Sequence, residues 1–328
     1  MNPRAVIQGI GHSVPAKVLT NLDLEKLVDT TDEWITQRTG IKERRICGPD
    51  EAASDLTIAA AKEALADASM DPMDLDLIIV ATVTGDYPFP STSCMVQDAL
   101  GAKRAGSFDL GAACAGFIYA TSTASAMIES GQCKNIMVLG VDVLSKFVDF
   151  TDRSTCILFG DAAAGVILSA EENTDRGVLK TVLLSDGSGG KHIIRQAGGS
   201  RNPSVTEGPD AVRNSIFMNG AETYRFAVGA LGDACCKVLD EAGLTPADID
   251  LFVPHQANIR IIESAANRLG LPEEKVFINI HKYGNTSAGS IPLGLYEASK
   301  QGRLKKGDVV MTVGFGAGLV WGANLIRW

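Results

Sequence analysis

Residues 65–77, LADASMDPMDLDL, and residues 239–251, LDEAGLTPADIDL, align without a gap at an offset of 174. Leu65, Ala68, Pro72, Asp74, Asp76 and Leu77 return as Leu239, Ala242, Pro246, Asp248, Asp250 and Leu251. In both copies an amphipathic helix runs into a proline-containing turn and an apolar strand follows, LIIVATV in the first and LFVP in the second. A weaker echo pairs Ala115-Gly116 with Ala288-Gly289 at an offset of 173, each opening a helix of small residues after a strand. Two echoes at nearly one offset point to a duplicated βα unit. They place a boundary in the charged stretch AEENTDRG at 170–177, which divides the chain into halves 1–172 and 173–328.

Strand-like runs at 77–84, 106–110, 136–141, 164–168, 178–184, 276–280, 309–315 and 319–325 alternate with helical segments in both halves. That alternation predicts an α/β architecture, with helix layers packed on mostly parallel sheets. Halves that echo each other are expected to pack together rather than swing on a linker. One long irregular stretch, 185–212, is rich in Gly, Ser, Asn and Pro, and a connection of that length inside a compact domain is expected to be functional or mobile.

Composition narrows the function classes. The chain has 328 residues, 45% of them apolar and 21% charged, as in an ordinary globular protein with one large α/β unit or two domains. A net charge of −9 argues against nucleic acid as the main partner, and an acidic protein partner would need a local basic patch. Residues 1–20 lack the apolar core and cleavage site of a secretory signal, which gives a cytoplasmic expectation. The longest uncharged run, 110–128, is built largely of Ala, Ser, Thr and Gly and reads as a helix buried in protein rather than inserted in a membrane. Seven cysteines without a C-x-x-C pair suggest free thiols and offer no metal site.

Three residues carry the candidate chemistry. Cys114 lies in FDLGAACAGFIYA, residues 108–120, after a strand-like run and at the head of a helix whose Phe117, Ala124 and Ile128 share one face. A helix N-terminus favours a thiolate and is expected to lower the pKa of this cysteine, and the flanking Ala113, Ala115 and Gly116 leave room for a carbonyl. Position alone favours the other reading, a small buried and inert cysteine, and only its partners turn the balance. His255, in FVPHQANIRI, sits at the C-terminal end of the duplicated strand, where α/β folds place functional groups; a structural histidine is its alternative. Asn285, in YGNTSAGS, is placed either to cap the helix that follows or to serve a site. The glycines at 314, 316 and 318 lack dinucleotide-binding spacing and form either a plain hairpin turn or a place where backbone N–H groups meet an oxyanion. The chain order Cys, His, Asn also occurs in papain-like proteases, but no C-G-S/A-C-W/Y run surrounds Cys114, which lies mid-chain.

The segments AACAGF, PHQANIRI and YGNTSAGS resemble the three active-site motifs of the β-ketoacyl-acyl-carrier-protein synthase III family in the thiolase superfamily. The resemblance extends through TTDEWITQRTGIKERR, FTDRSTCILFGDAAAG and FGAGLVWGANLIRW and so covers nearly the whole chain. It implies a thiolase-like fold of two βαβαβαββ halves stacked in five layers, αβαβα, which fits the internal echo. It also implies a two-stage reaction. An acyl group passes from coenzyme A, a substrate rather than a cofactor, to Cys114; malonyl-acyl-carrier-protein then loses carbon dioxide and its carbanion attacks the acyl-enzyme.

By the same resemblance, the backbone N–H groups of Cys114 and Gly316 form the oxyanion hole, and His255 and Asn285 donate to the malonyl thioester oxygen. Trp34 and Arg153 sandwich the adenine of coenzyme A, Arg38 meets phosphate, and Asn258 contacts the pantetheine arm. An ordinary partly buried aromatic remains the alternative for Trp34. Arg225, Arg260 and Arg268 would supply the basic docking patch for the carrier protein, or else form a solvated helix face. Phe89 matches a position that crosses a homodimer interface and closes the acyl pocket, where bulk favours short primers such as acetyl. Ala162, Ser154 and Ala317 depart from the usual glycines of the family, and 196–212 is longer than its usual connection. Rival readings are a relative that condenses another acyl thioester in secondary metabolism, an acyltransferase without elongation, and a catalytically silent acyl-coenzyme-A-binding protein. The intact Cys114, His255 and Asn285 count against silence.

Overall fold

In the computed structural model, which describes residues 3–203 and 213–328, two mixed sheets share one topology. The first runs Arg4–Ser13, Ala162–Glu171, Asn135–Asp142, Leu77–Ala81, Gly106–Leu110 in spatial order; the first two neighbour pairs are antiparallel and the last two parallel. The second runs Gly177–Ser185, Val320–Arg327, Val309–Gly316, Leu251–Pro254 with the matching sequence of antiparallel and parallel pairs. A fifth strand was expected there at 276–280. The chain instead makes a single parallel bridge, Phe252 to Val276, and by Ile280 it has entered a short helix.

Alternation along the strands explains the layers. In Leu77–Ala81, every residue is buried. Leu77, Ile79 and Ala81 face a central core, while Ile78 and Val80 face an outer one with the helix Ala53–Ala68. Leu251 and Val253 join the same central core, and Phe252 points outward to the helices Gly220–Ala242 and Ile259–Leu269. A strand apolar on both faces belongs in a sheet covered on both sides. The helices Gly116–Glu129 and Ser290–Lys300 fill the space between the sheets, so the order is helix, sheet, helix pair, sheet, helix.

Three further features depart from the expectations. The strand Arg4–Ser13 was not anticipated, because Gly9 and Gly11 interrupt its apolar pattern. Those glycines let the helix Ala53–Ala68 lie directly on the strand: a Cβ at Gly9 would fall 2.5 Å from the Ala64 carbonyl oxygen, and one at Gly11 2.2 Å from that of Ala60. The run 77–84 ends as a strand at Ala81. The stretch 185–212 holds, among its described residues, a 3₁₀ turn at Gly187–His192 and Ile193–Ile194 paired to Phe217–Met218; residues 204–212 lie outside the described residues. Among the described residues, no helix is long and apolar enough to cross a membrane.

Candidate active site

The duplicated turns that open the two central helices build the site. Ala113–Ala115 and Ser287–Gly289 are both single 3₁₀ turns, and each begins on a left-handed residue, Ala113 at φ 44° and Ser287 at φ 50°. Non-glycine residues hold that conformation at a cost, and such positions cluster at functional sites. The turns meet face to face: the Ser287 hydroxyl donates to Cys114 Sγ at 3.2 Å.

Cys114 is half-buried on a cavity of about 910 Å³ that also reaches Trp34, His255, Asn285 and Gly316. Gly316 ends the strand Val309–Gly316 directly against the nucleophile, where a Cβ would sit 2.6 Å from the Cys114 amide nitrogen. The backbones of the two residues are therefore in direct contact at the cavity wall. The thiol differs from expectation. Burial pushes its pKa up to about 12, with the Ser287 hydrogen bond opposing and buried Asp142 adding to the rise. A helix terminus is worth at most about 2 kcal/mol, and burial of the thiol, the largest influence on it, acts in the opposite direction. Desolvation wins, and Cys114 rests as a thiol.

His255 follows the strand Leu251–Pro254, and its N–H donates to the Val313 carbonyl at 2.7 Å. Its Nδ1 lies 2.6 Å from the Ser290 hydroxyl, and Phe315 packs edge-on to its ring at 5.8 Å. Complete burial lowers its pKa to about 3, so the imidazole is neutral at physiological pH. Asn285 is also buried and does not cap the helix Ser290–Lys300, as one reading expected: its Oδ1 accepts from the Ser287 N–H at 2.9 Å within the preceding turn, which leaves the amide NH₂ as the group it can offer to the cavity.

Sequence reasoning passed over Ser287, Ser290 and Asp142. The first two lie inside the quoted motif, and the echo at offset 173 marks Ser287 as the counterpart of Cys114 itself. Asp142 was signalled only as a lone acid closing the apolar strand Asn135–Asp142. It is fully buried and accepts from the Val83 N–H at 2.9 Å and from the Thr84 and Thr82 hydroxyls at 2.8 and 3.2 Å, with the Ala288 N–H at 3.4 Å. Burial raises its pKa against these donors. Asp142 thus ties the end of the strand Leu77–Ala81 to the turn beneath Cys114.

Trp34 and Arg38 line the cavity, and two guanidinium groups stack on the Trp34 ring, Arg38 at 4.7 Å and Arg153, which lies outside the lining, at 5.0 Å from its centroid. Arg153 is also anchored to the Asp29 carbonyl at 2.7 Å, so a planar base can stack on Trp34 only if this side chain turns aside. Asn258 caps the helix Ile259–Leu269 and donates to the Arg38 carbonyl at 2.9 Å, while Arg260 donates to the Gln37 carbonyl at 2.9 Å. Both therefore fix the Trp34 helix, Asp32–Thr39, at the entrance. Arg225 is paired with Glu222 at 2.6 Å, and Arg268 with Asp233; both are exposed and away from the cavity lining. Phe89 is 87% exposed and lies outside the cavity lining of its own chain. Of the three departures, Ser154 and Ala317 line the cavity, and Ala162 is buried in its strand.

Fold and site together define a thiolase-like condensing enzyme, with a cysteine in one half and a His–Asn donor pair in the other. Residues 108–187 match the family model for 3-oxoacyl-[acyl-carrier-protein] synthase III, and 239–328 match the model for its C-terminal part. The chain is 51% identical over 324 residues to the β-ketoacyl-[acyl-carrier-protein] synthase III of Caldanaerobacter subterraneus, covering 99% of this chain and 98% of that one. The crystal structure of 3-oxoacyl-[acyl-carrier-protein] synthase III from Aquifex aeolicus is similar at a TM-score of 0.92 and 46% identity, over 99% of this chain and 100% of the other. A priming β-ketosynthase of a polyketide biosynthetic pathway matches at a TM-score of 0.93 and 35% identity, over 99% and 96% of the two chains. The chain belongs to the β-ketoacyl-acyl-carrier-protein synthase III family, a family of acyltransferases.

Proposed function

We propose that this chain starts fatty-acid synthesis by condensing an acyl-coenzyme A, acetyl in the simplest case, with malonyl-acyl-carrier-protein. The observation that carries this reading is the neutral donor pair, His255 and Asn285, buried around the cavity that holds a hydrogen-bonded cysteine. In the first stage, Cys114 Sγ attacks the thioester carbonyl and the coenzyme A sulfur leaves. The proton lost by Cys114 ends on that sulfur, so the stage needs no net base. The N–H groups of Cys114 and Gly316 stabilise the tetrahedral oxyanion.

In the second stage, the malonyl C–C bond breaks and its electron pair moves onto the thioester as an enolate. His255 and Asn285 donate to that oxygen. Neutral donors suit the task because they stabilise charge as it develops without being neutralised by the substrate's carboxylate beforehand. The enolate carbon then attacks acyl-Cys114, and the Cys114 sulfur leaves as a thiolate to give 3-oxoacyl-carrier-protein, taking up one proton from solvent to return to the resting thiol.

Trp34, Arg38, Arg153 and Asn258 are read as the coenzyme A contacts, and Arg225, Arg260 and Arg268 as the carrier-protein patch. The two exposed ion pairs hold Arg225 and Arg268 only weakly and leave them free to exchange partners. Phe89 is assigned to the acyl pocket of a second copy, which makes the working unit a homodimer. Similarity to a polyketide-priming enzyme supports a second reading with the same chemistry and a different primer.

Incubation with a labelled panel of acyl-coenzyme A primers and malonyl-acyl-carrier-protein tests the assignment. Labelling of Cys114 together with carbon dioxide release is expected, with acetyl the preferred primer. Acylation without carbon dioxide release would indicate a transferase, and absence of acylation a binding protein.

A further inference from the structure

One short turn touches all three catalytic groups. Residues 285–290 supply Asn285 itself, send the Ser287 hydroxyl to Cys114 Sγ, and place the Ser290 hydroxyl 2.6 Å from His255 Nδ1. Ser290 is buried at 1% exposure in the first turn of the central helix Ser290–Lys300. A second group meets the same oxygen: the Gln256 N–H donates to Ser290 Oγ at 3.3 Å. Among the described residues, these two are the groups within hydrogen-bonding distance of that hydroxyl.

The arithmetic of donors and acceptors then selects one arrangement. A backbone N–H can only donate, so Gln256 occupies a lone pair of Ser290 Oγ. If His255 also donated from Nδ1, the serine proton would be left buried without an acceptor, which proteins avoid. If instead Ser290 donates its proton to Nδ1, every group is satisfied. A neutral imidazole that accepts at Nδ1 must carry its single proton on Nε2.

We propose that Ser290 is a positioning residue that holds His255 in the Nε2–H tautomer, making it a hydrogen-bond donor rather than a base. The Gln256 peptide is the third member of this relay. It is held in turn: its side chain donates to the carbonyls of Pro254 and Phe277 at 2.9 and 3.2 Å, and accepts from the N–H groups of Asn279 and Ile280. Ser290 thus decides which half of the reaction His255 serves. An Nε2 lone pair would withdraw a proton from Cys114, whereas an Nε2–H supports the enolate of the second stage. The inference rests on the condensing-enzyme reading for its consequence, and on geometry alone for the tautomer.

The test is nitrogen-15 spectroscopy of the histidine-labelled protein, in which His255 is one of four histidines and is assigned by the signal lost in His255→Asn. The wild type is expected to show an imine-type, hydrogen-bonded Nδ1 and a protonated Nε2; a protonated Nδ1 would overturn the proposal. In Ser290→Ala the Nδ1 signal should move toward that of an unbonded imine, and carbon dioxide release should fall about tenfold relative to Cys114 acylation, with Ser290→Thr restoring both. An unmoved Nδ1 signal, or an equal fall in both stages, would count against it. A wild type that shows the expected tautomer but releases no carbon dioxide would instead refute the condensing-enzyme reading and leave the positioning role of Ser290 intact.

Discussion

At the scale of single residues, a helix terminus that favours a thiolate competes at Cys114 with burial that opposes it, and burial prevails. A thiol with its pKa pushed up to about 12 has a thiolate fraction that grows about tenfold with each unit of pH below that value. Alkylation of Cys114 by iodoacetamide should therefore keep rising from pH 6 to pH 9 without levelling off. A rate that reaches a plateau by pH 7 would mean that the resting cysteine is ionised. In the proposed mechanism Cys114 would then be activated by the approach of substrate and by the Ser287 hydroxyl, which already donates to Sγ.

At the scale of elements, the site is made by the ends of strands and the turns that follow them. Gly316 illustrates how tightly these elements fit. Replacing it with alanine would place a methyl group 2.6 Å from the Cys114 amide and 2.9 Å from Ala113 Cβ. Gly316→Ala is expected to cost about 1–3 kcal/mol of stability, as overpacked sites do. It should also lower the rate of both stages, because in the proposed mechanism both would use the Gly316 N–H; chemical denaturation and single-turnover acylation read the two effects separately. A loss confined to one stage would move the oxyanion hole elsewhere. Much of this scale was legible in the sequence. The motifs around Cys114, His255 and Asn285 placed each at the end of a strand or the start of a helix, and the small residues announced close packing. What could not be read was partnership. Ser287 and Ser290 look like ordinary capping serines in YGNTSAGS, and only the fold shows that one reaches a cysteine 173 positions away and the other a histidine 35 positions away. Arg4–Ser13 was hidden because its two glycines answer to the helix lying across it, not to the strand itself.

At the scale of the whole molecule, the repeat LADASMDPMDLDL/LDEAGLTPADIDL was the most informative sequence feature, since the two sheets share their strand order and direction. We place the seam between the halves at 172/173, within the connection that leaves one sheet at Glu171 and enters the other at Gly177. Neither half buries the central helices without the other, so the two are expected to unfold together. Around Phe89 the surface is unusually apolar: Phe89 is 87% exposed, Tyr87 60% and Val83 52%. The homodimer proposed above would cover this patch. Sedimentation equilibrium should give a dimer, and Phe89→Arg should shift it toward monomer; a monomeric wild type would remove Phe89 from the acyl pocket.

The central claim is that Cys114 serves the first stage while His255 and Asn285 serve chiefly the second. It is tested most directly by following, in one reaction, the labelling of Cys114 by acyl-coenzyme A and the release of carbon dioxide from malonyl-acyl-carrier-protein in His255→Ala and Asn285→Ala. Each variant should lose carbon dioxide release by about a hundredfold relative to its acylation, the size expected when one preorganised donor to a developing oxyanion is removed. Equal losses in the two stages would contradict the division of roles.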